Sequence, residues 1–180
     1  MYCAFIQVVV YLFNRKHYDG SVGCAVIQTA VCRKATVDDV DFLYDLIQGY
    51  AESGIMLPRT KEMLREQADT FVVAEIDGRI VGCGALLRLG ADLVEVRSLG
   101  LDPEYKGQGI GRKIVEMLEL QARELGVPKL MALTYEVAFF ERNGFTVVNK
   151  EIFPEKVWRD CIHCKKQHNC DEIAVLKRLD

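Results

Sequence analysis

The chain alternates between two hydrophobic periods, and the switches between them mark out its elements. Val40, Leu43, Ile47 and Tyr50 recur at helical spacing, with Leu46 widening the stripe. Thr36 stands ahead of them as an N-cap, with Asp38 and Asp39 in the first turn where carboxylates suit the helix dipole. Gly49 and Gly54 are expected to end this helix, and Thr60 to cap a short second one reaching about Ala68. The period then drops to that of strands. TFVVAEI (70–76) and RIVGCGALLRL (79–89) flank Asp77-Gly78, a two-residue hairpin signal, and LVEVRSLGL (93–101) follows. Helical spacing returns from Gly111 to Leu125, with Ile114, Leu118 and Leu125 turned to the core and Gly126 and Pro128 as the stop. KLMALT (129–134) is a strand, EVAFFERN a short helix ending at Gly144, and FTVVNK and EIAVLKR (172–178) are strands. A short AVCRKA strand precedes the first helix.

The order is βααβββαβαβ(β). It predicts an α/β domain with a mixed, mostly antiparallel central sheet and helices on both faces. Strand 93–101, the helix and strand 129–134 form a unit that requires a parallel pair with a right-handed crossover.

Between that strand and helix lies DPEYKGQGIGR (102–112), where Gly107, Gly109 and Gly111 alternate with Gln108 and Ile110. Glycine lets the backbone turn tightly and approach another group closely. The first-turn N–H groups of a helix lack intrahelical partners and sit at the positive end of its dipole, so the loop is a phosphate site. A Walker loop is excluded, because GxxxxGK followed by Ser or Thr is absent. A Rossmann loop is a poor fit: the third glycine of G-x-G-x-x-G is missing and the loop lies in mid-domain after a hairpin.

Composition changes this picture little. With 180 residues, 50% apolar and a net charge of −3, the chain is an ordinary globular one with no electrostatic case for nucleic acid or an anionic membrane as partner. Residues 1–29 are expected to be an extension of uncertain order, and residues 30–180 the domain. The apolar run 2–13 is short of the roughly 20 residues that span a bilayer. No basic residue precedes it, as a secretory signal would need. An added strand, a surface anchor, or a translated stretch ahead of the true start are the alternatives; the last, or a poorly packed extension, is preferred. Of the seven cysteines, the scattered Cys3, Cys24, Cys32 and Cys83 read as free thiols in a reducing cytoplasm.

VEVRSLGLDPEYKGQGIGRKIVEMLELQARELG resembles the core of the GNAT N-acetyltransferase superfamily, whose Arg/Gln-x-x-Gly-x-Gly/Ala pattern binds the pyrophosphate of acetyl-CoA. Lys106 takes its first position, Gly109 the fourth and Gly111 the last. The resemblance covers about residues 30–150. LPRT, FVVAEIDGRIVGCGAL, EVRSLGL, LMALT and FFERNGF are further similar to the acetyltransferase domain of N-acetylglutamate synthases. It implies a GNAT fold in a short, stand-alone form without the amino-acid-kinase domain. The implied reaction carries acetyl from acetyl-CoA to the α-amine of a small amino acid, with glutamate the first choice, the first step of arginine biosynthesis.

A protonated amine must lose a proton before it attacks the thioester. Glu95 is a carboxylate in an otherwise apolar strand, and the resemblance implies the general base there. The plain alternative is a strand-face pair with Arg97, unless a bulge breaks the alternation. Backbone N–H groups of Leu99, Gly100 and Leu101 are expected to hold the oxyanion. Many family members use a Tyr four residues before the "GF" glycine as acid; here that position is Phe140. The resemblance then points to Thr134, beside Tyr135, against the alternative of a local hydrogen bond at the strand end. The cofactor set is completed by Lys106 to Arg112. Arg59 matches the family's α-carboxylate ligand, with Arg97 and Ser98 as second candidates. The family's basic residue near the final strand is absent from HNCDEIAV, which leaves glutamine or another amino acid open.

In the Cys-rich segment 154–171, Cys161, Cys164, His168 and Cys170 have the ligand types of a tetrahedral zinc site. A Cys161–Cys164 redox pair or free thiols are the preferred alternatives. Phe153, Val157 and Trp158 suggest that the segment packs as a flap over the amino-acid site. Acetyl-CoA and an amino acid are the expected partners, without nucleic acid or membrane, and a homodimer is left open. The rival functions are a GNAT acting on a protein or peptide amine and a CoA-binding sensor with a responsive Cys tail. Arg59 argues for a small carboxylate-bearing acceptor.

Overall fold

A computed structural model describes residues 30–153 and 169–179. The expected extension at 1–29, and most of the Cys-rich flap with Cys161, Cys164 and His168, lie outside the described residues.

The order is β1 (Val31–Lys34), α1 (Val40–Glu52), α2 (Lys61–Glu66), β2 (Phe71–Ile76), β3 (Arg79–Arg88), β4 (Leu93–Leu101), α3 (Ile110–Glu124), β5 (Lys129–Thr134), α4 (Val137–Arg142), β6 (Thr146–Val148) and β7 (Ile173–Arg178). The seven strands form one sheet in the order β1-β2-β3-β4-β5-β7-β6. All neighbours are antiparallel except β4 and β5. The mixed sheet with its single parallel pair is the expected architecture. The β2–β3 hairpin closes through Asp77 and Gly78 at φ 49° and 79°, which is the mirror-image turn that matches strand twist.

Two apolar layers sandwich the sheet. On one face α3 lays Ile114, Val115, Leu118 and Ala122 over Val72, Ala74, Val94 and Val96. Each fully buried aliphatic side chain contributes about 2 kcal/mol. The helix approaches β3 closely because Gly82 and Gly84 carry no side chain: a Cβ on Gly84 would lie 2.9 Å from Ile114 Cγ2. On the other face α1 and α2 cover Phe71, Val73, Cys83 and Ala85 with Leu43, Ile47 and Leu64.

Several expectations shift. Leu125 is 53% exposed, because it is the C-cap of α3 and lies beyond the last turn that touches the sheet. Gly49 is inside α1, and Gly54, at φ 73°, ends it. Thr36 caps a 3-10 turn over 37–39, so α1 begins only at Val40. Asp39 does more than face a dipole. It is buried, takes a bidentate pair from Arg33 (Nη1 2.7 Å, Nη2 2.8 Å) and accepts the Thr36 N–H at 2.7 Å. Hydrogen bonds from Arg33 hold its carboxyl below the usual range. The second helix is α2 followed by a 3-10 turn at 68–70, and β6 is only three residues long.

Candidate active site

The cleft begins where two parallel strands part. β4 and β5 pair only through Leu93–Lys129, Val94–Leu130 and Glu95–Met131. Beyond Glu95, β4 runs six residues further and β5 three, with no pairing between them. The strands therefore open as a fork whose mouth lies at their carboxyl ends, where open α/β sheets bind ligands. Glu95 stands at the root of the fork and is 3% exposed.

A bulge shapes the longer arm. Arg97 pairs with Ala85 and Gly100 with Cys83, so Ser98 and Leu99 together face the single Gly84. Ser98 takes φ 51°, which costs an L-residue about 1–2 kcal/mol. The bulge also exchanges the faces of the strand. Before it, Val94 and Val96 pack under α3; after it, Leu99 and Leu101 do. Glu95 and Arg97 precede the bulge and share the opposite face, so the bulge exists but does not separate them.

That face gathers the expected acceptor ligands. Arg59, in the loop before α2, donates from Nε to Ser98 Oγ at 3.3 Å. Arg97 donates from Nη2 to Gln67 Oε1 at 2.9 Å. A cavity of about 420 Å³ opens beside Arg59, lined also by Tyr44, Gln48, Pro58 and Thr60. Arg59, Arg97, Ser98 and Glu95 thus occupy one side of β4.

The glycine loop lies at the mouth. Gly107 and Gly109 both take φ 78° with open space around them, so it is backbone conformation that demands glycine there. Gly109 caps α3, one residue earlier than the sequence suggests, and leaves the first-turn N–H groups of Ile110, Gly111 and Arg112 toward the mouth. Gly111 is glycine for a different reason: a Cβ would lie 3.2 Å from Phe139 on α4. The end of β4, the start of α3 and α4 therefore converge there. Lys106 Nζ lies 5.3 Å over the Tyr50 ring, Gln108 donates to the Glu104 carbonyl at 3.2 Å, and Arg112 pairs with Glu116 at 2.8 Å.

Among the backbone donors, Leu101 N–H points to Tyr50 Oη at 3.4 Å, and Gly100 lies opposite Cys83 in the β3 register. Leu99 lies in the bulge, outside the β3 register. Thr134 is buried at the end of β5, and its Oγ accepts the Glu136 N–H at 2.8 Å. That is the expected local bond, and it leaves the hydroxyl proton for another acceptor. Phe140, in place of the usual Tyr, packs edge-on against Phe139 and Phe145. Cys170 is half-buried, with Sγ 3.9 Å from Glu172 Oε2. No group of three or more His, Cys, Asp or Glu among the described residues is placed to hold a metal, and no helix among them is long and apolar enough to cross a membrane.

Three participants escape a reading of the sequence. Tyr50 reads as an apolar stripe position, Gln67 as a helix-end polar residue, and Cys83 as a core thiol, which here donates to the Ser98 carbonyl at 3.4 Å and braces the bulge. Nothing in their local text marks them, since each acts on a residue 15 or more positions away.

Residues 67–147 match the family described as acetyltransferase (GNAT) domain. The chain is 41% identical over 147 residues to an uncharacterized N-acetyltransferase of Chlorobaculum tepidum, covering 82% of this chain and 95% of that one. It is 40% identical over 133 residues to the amino-acid acetyltransferase of Mycobacterium tuberculosis, covering 69% and 76%. Its fold superposes on N-acetylglutamate synthase from Neisseria gonorrhoeae complexed with coenzyme A and N-acetyl-glutamate, with TM-score 0.75 and 27% identity over 84% of this chain. It spans 35% of that synthase's length.

Proposed function

Because the chain belongs to the GNAT family and is an acetyl-CoA-dependent amino-acid N-acetyltransferase, we propose that its acceptor is the α-amino group of L-glutamate. That reaction is the first step of arginine biosynthesis, and a cytoplasmic setting supplies its acetyl-CoA. The reading is supported by the synthase complex with coenzyme A and N-acetyl-glutamate. It is carried by one observation, the fork between β4 and β5 with Glu95 buried at its root and Arg59, Ser98 and Arg97 on one face.

The glycine loop suits a pyrophosphate, since its backbone donors and the α3 dipole supply positive potential without a metal ligand set. Lys106, Gly107, Gln108, Gly109, Ile110, Gly111 and Arg112 form that clamp, and the pantetheine arm runs into the fork along Leu99, Gly100 and Leu101. The acceptor's α-carboxylate pairs with the Arg59 guanidinium, supported by Arg97 and Ser98. Glu95 takes the ammonium proton, directly or through water, and frees the nitrogen lone pair. The nitrogen forms a bond to the thioester carbon while the carbonyl π pair moves to oxygen. Leu99 N–H is the donor for that oxyanion, because Leu99 lies in the bulge, outside the β3 register. Collapse restores the carbonyl and breaks the carbon–sulfur bond, and the second nitrogen proton passes to the departing sulfur through the Thr134 hydroxyl, which takes one proton as it gives one, so that the amide and CoA thiol result.

Thiol release from acetyl-CoA, measured across the twenty amino acids, tests the substrate. The highest kcat/KM is expected with glutamate; a higher value with glutamine or another amino acid removes the glutamate assignment. Glu95→Gln should lower kcat by about 10²–10⁴ at neutral pH. An unimpaired variant removes only the base.

A further inference from the structure

Among the described residues, two that are not glycine take a left-handed φ, Asp77 and Ser98. Asp77 makes a hairpin turn. Ser98 stands inside β4, at a bulge, where glycine would meet the backbone requirement without strain. A strained residue kept at a cleft points to a task for its side chain. Here that side chain accepts a hydrogen bond from Arg59 Nε at 3.3 Å. The Ser98 carbonyl accepts from Cys83 Sγ at 3.4 Å, which holds the bulge from the β3 side. The loop that carries Arg59 is fastened on both sides of it. Met56 packs on the Gly100 backbone, where a Cβ would stand 3.2 Å from its Cε, and Thr60 caps α2 by accepting the Met63 N–H at 3.2 Å. With the backbone on either side anchored, the long Arg59 side chain is the part left to fix, and Ser98 holds it near its tip.

We propose that Ser98 is a positioning residue for the acceptor's carboxylate ligand: the strained bulge keeps a serine so that its Oγ holds Arg59 Nε and turns the Nη1–Nη2 end of the guanidinium to the α-carboxylate. This rests on the reading of Arg59 as the α-carboxylate ligand. A guanidinium takes a carboxylate in parallel along one edge, and with Ser98 at Nε the edge aimed at the acceptor is Nη1–Nη2. Arginine loses much rotamer freedom when it is fixed, and an acceptor that meets it already fixed binds without that loss. The contact leaves from the face of β4, so the strand edge that opens into the fork stays clear for the cofactor.

The test is steady-state kinetics of the full chain with acetyl-CoA and glutamate, and with isoglutamine, in which the α-carboxylate is an amide. Ser98→Ala keeps the left-handed backbone and removes Oγ. The KM of glutamate should rise about fivefold, the size of one net hydrogen bond, and the KM of acetyl-CoA should not move. The kcat/KM with isoglutamine should hardly change, since no carboxylate meets Arg59 there. Ser98→Gly separates the bond from the strain: its Tm should not fall, while its KM for glutamate should rise as in Ser98→Ala. In an Arg59→Ala background Ser98→Ala should cost nothing more. Where another amino acid proves the best acceptor, it and its α-amide take the places of glutamate and isoglutamine.

A Ser98→Ala protein with the parent's KM for glutamate overturns the proposal, as does an equal rise for acetyl-CoA or an equal loss with isoglutamine. So does a Ser98→Ala loss that multiplies in full with that of Arg59→Ala. An unimpaired Arg59→Ala protein removes the carboxylate ligand and this inference together; an impaired Arg59→Ala beside an unimpaired Ser98→Ala removes this inference alone.

Discussion

Gly109→Ala separates the backbone of the clamp from its contacts. Gly109 takes φ 78° as the cap of α3 with nothing within 4 Å of where a Cβ would stand. The added methyl therefore meets no neighbour, and the whole effect is conformational. Holding an L-residue there costs about 1–2 kcal/mol. The reduced freedom of the unfolded chain returns about 0.4–1 kcal/mol. The net destabilisation is about 1 kcal/mol, or some 2–4 °C in Tm for a chain of this size. Binding should suffer more than stability. Where the loop relaxes to avoid the strain, the N–H groups of Ile110 to Arg112 turn from the pyrophosphate, and a hydrogen bond to a charged group is worth about 1.5–3 kcal/mol. The Kd of CoA should rise at least tenfold by calorimetric titration. Gly90→Ala is the control: that glycine also sits in open space but without the left-handed φ, so it should leave the Kd of CoA unchanged and raise stability by about 0.4–1 kcal/mol. A Gly109→Ala protein with the parent's Tm and CoA affinity would refute the left-handed cap as the element that shapes the clamp.

Other outcomes follow from the same geometry. Asp39→Asn should destabilise the domain by about 2 kcal/mol at pH 7, since it weakens charge-assisted bonds from Arg33. The folded Asp39 carboxyl titrates below its unfolded value of about 3.9, so its contribution is full above that pH and fades as pH falls through the folded value. Urea melts should show the gap between parent and variant closing toward pH 3; a constant gap refutes the pairing. Gly84→Ala should cost about 1–3 kcal/mol by overpacking, because the methyl meets Ile114, Leu118 and Leu99 at 2.9–3.1 Å. A denaturant midpoint equal to the parent's would count against that close approach. Burial pushes the Cys83 thiol up to about 12, so mass spectrometry after native alkylation at pH 8 should find Cys83 unmodified until the chain is unfolded. Gln67→Ala should raise the KM of the amino acid and spare that of acetyl-CoA, and an effect on acetyl-CoA alone would remove Gln67 from the acceptor side.

What the sequence makes legible is local. The hairpin at Asp77-Gly78, the parallel pair and the glycine loop all declare themselves within a few dozen residues, because turn chemistry and the crossover rule act over short spans. Leu125 misleads because periodicity does not tell where a helix leaves the sheet beneath it. Asp39 reads as a first-turn acid, and its partner Arg33 sits on a strand across a turn. A bulge in this strand can be foreseen, but its position after Arg97 is a matter of register with β3, which no single strand specifies. Tyr50 fits an apolar stripe at its ring and a polar role at its hydroxyl, and only the 51-residue leap to Leu101 reveals the second.

The placement of β7 has a consequence for how the enzyme comes into being. β5 pairs with β4 over three residues only, and its other edge is covered along its full length by β7. During synthesis β5 leaves the ribosome well before residues 173–178, with one long edge bare and the short β6 also waiting for the same strand. The side of the fork that bears Thr134 thus closes by a long-range pairing that is paid in loop entropy and made late. In the interval the nascent chain carries an open strand edge on β5, a state prone to pair with a neighbouring chain.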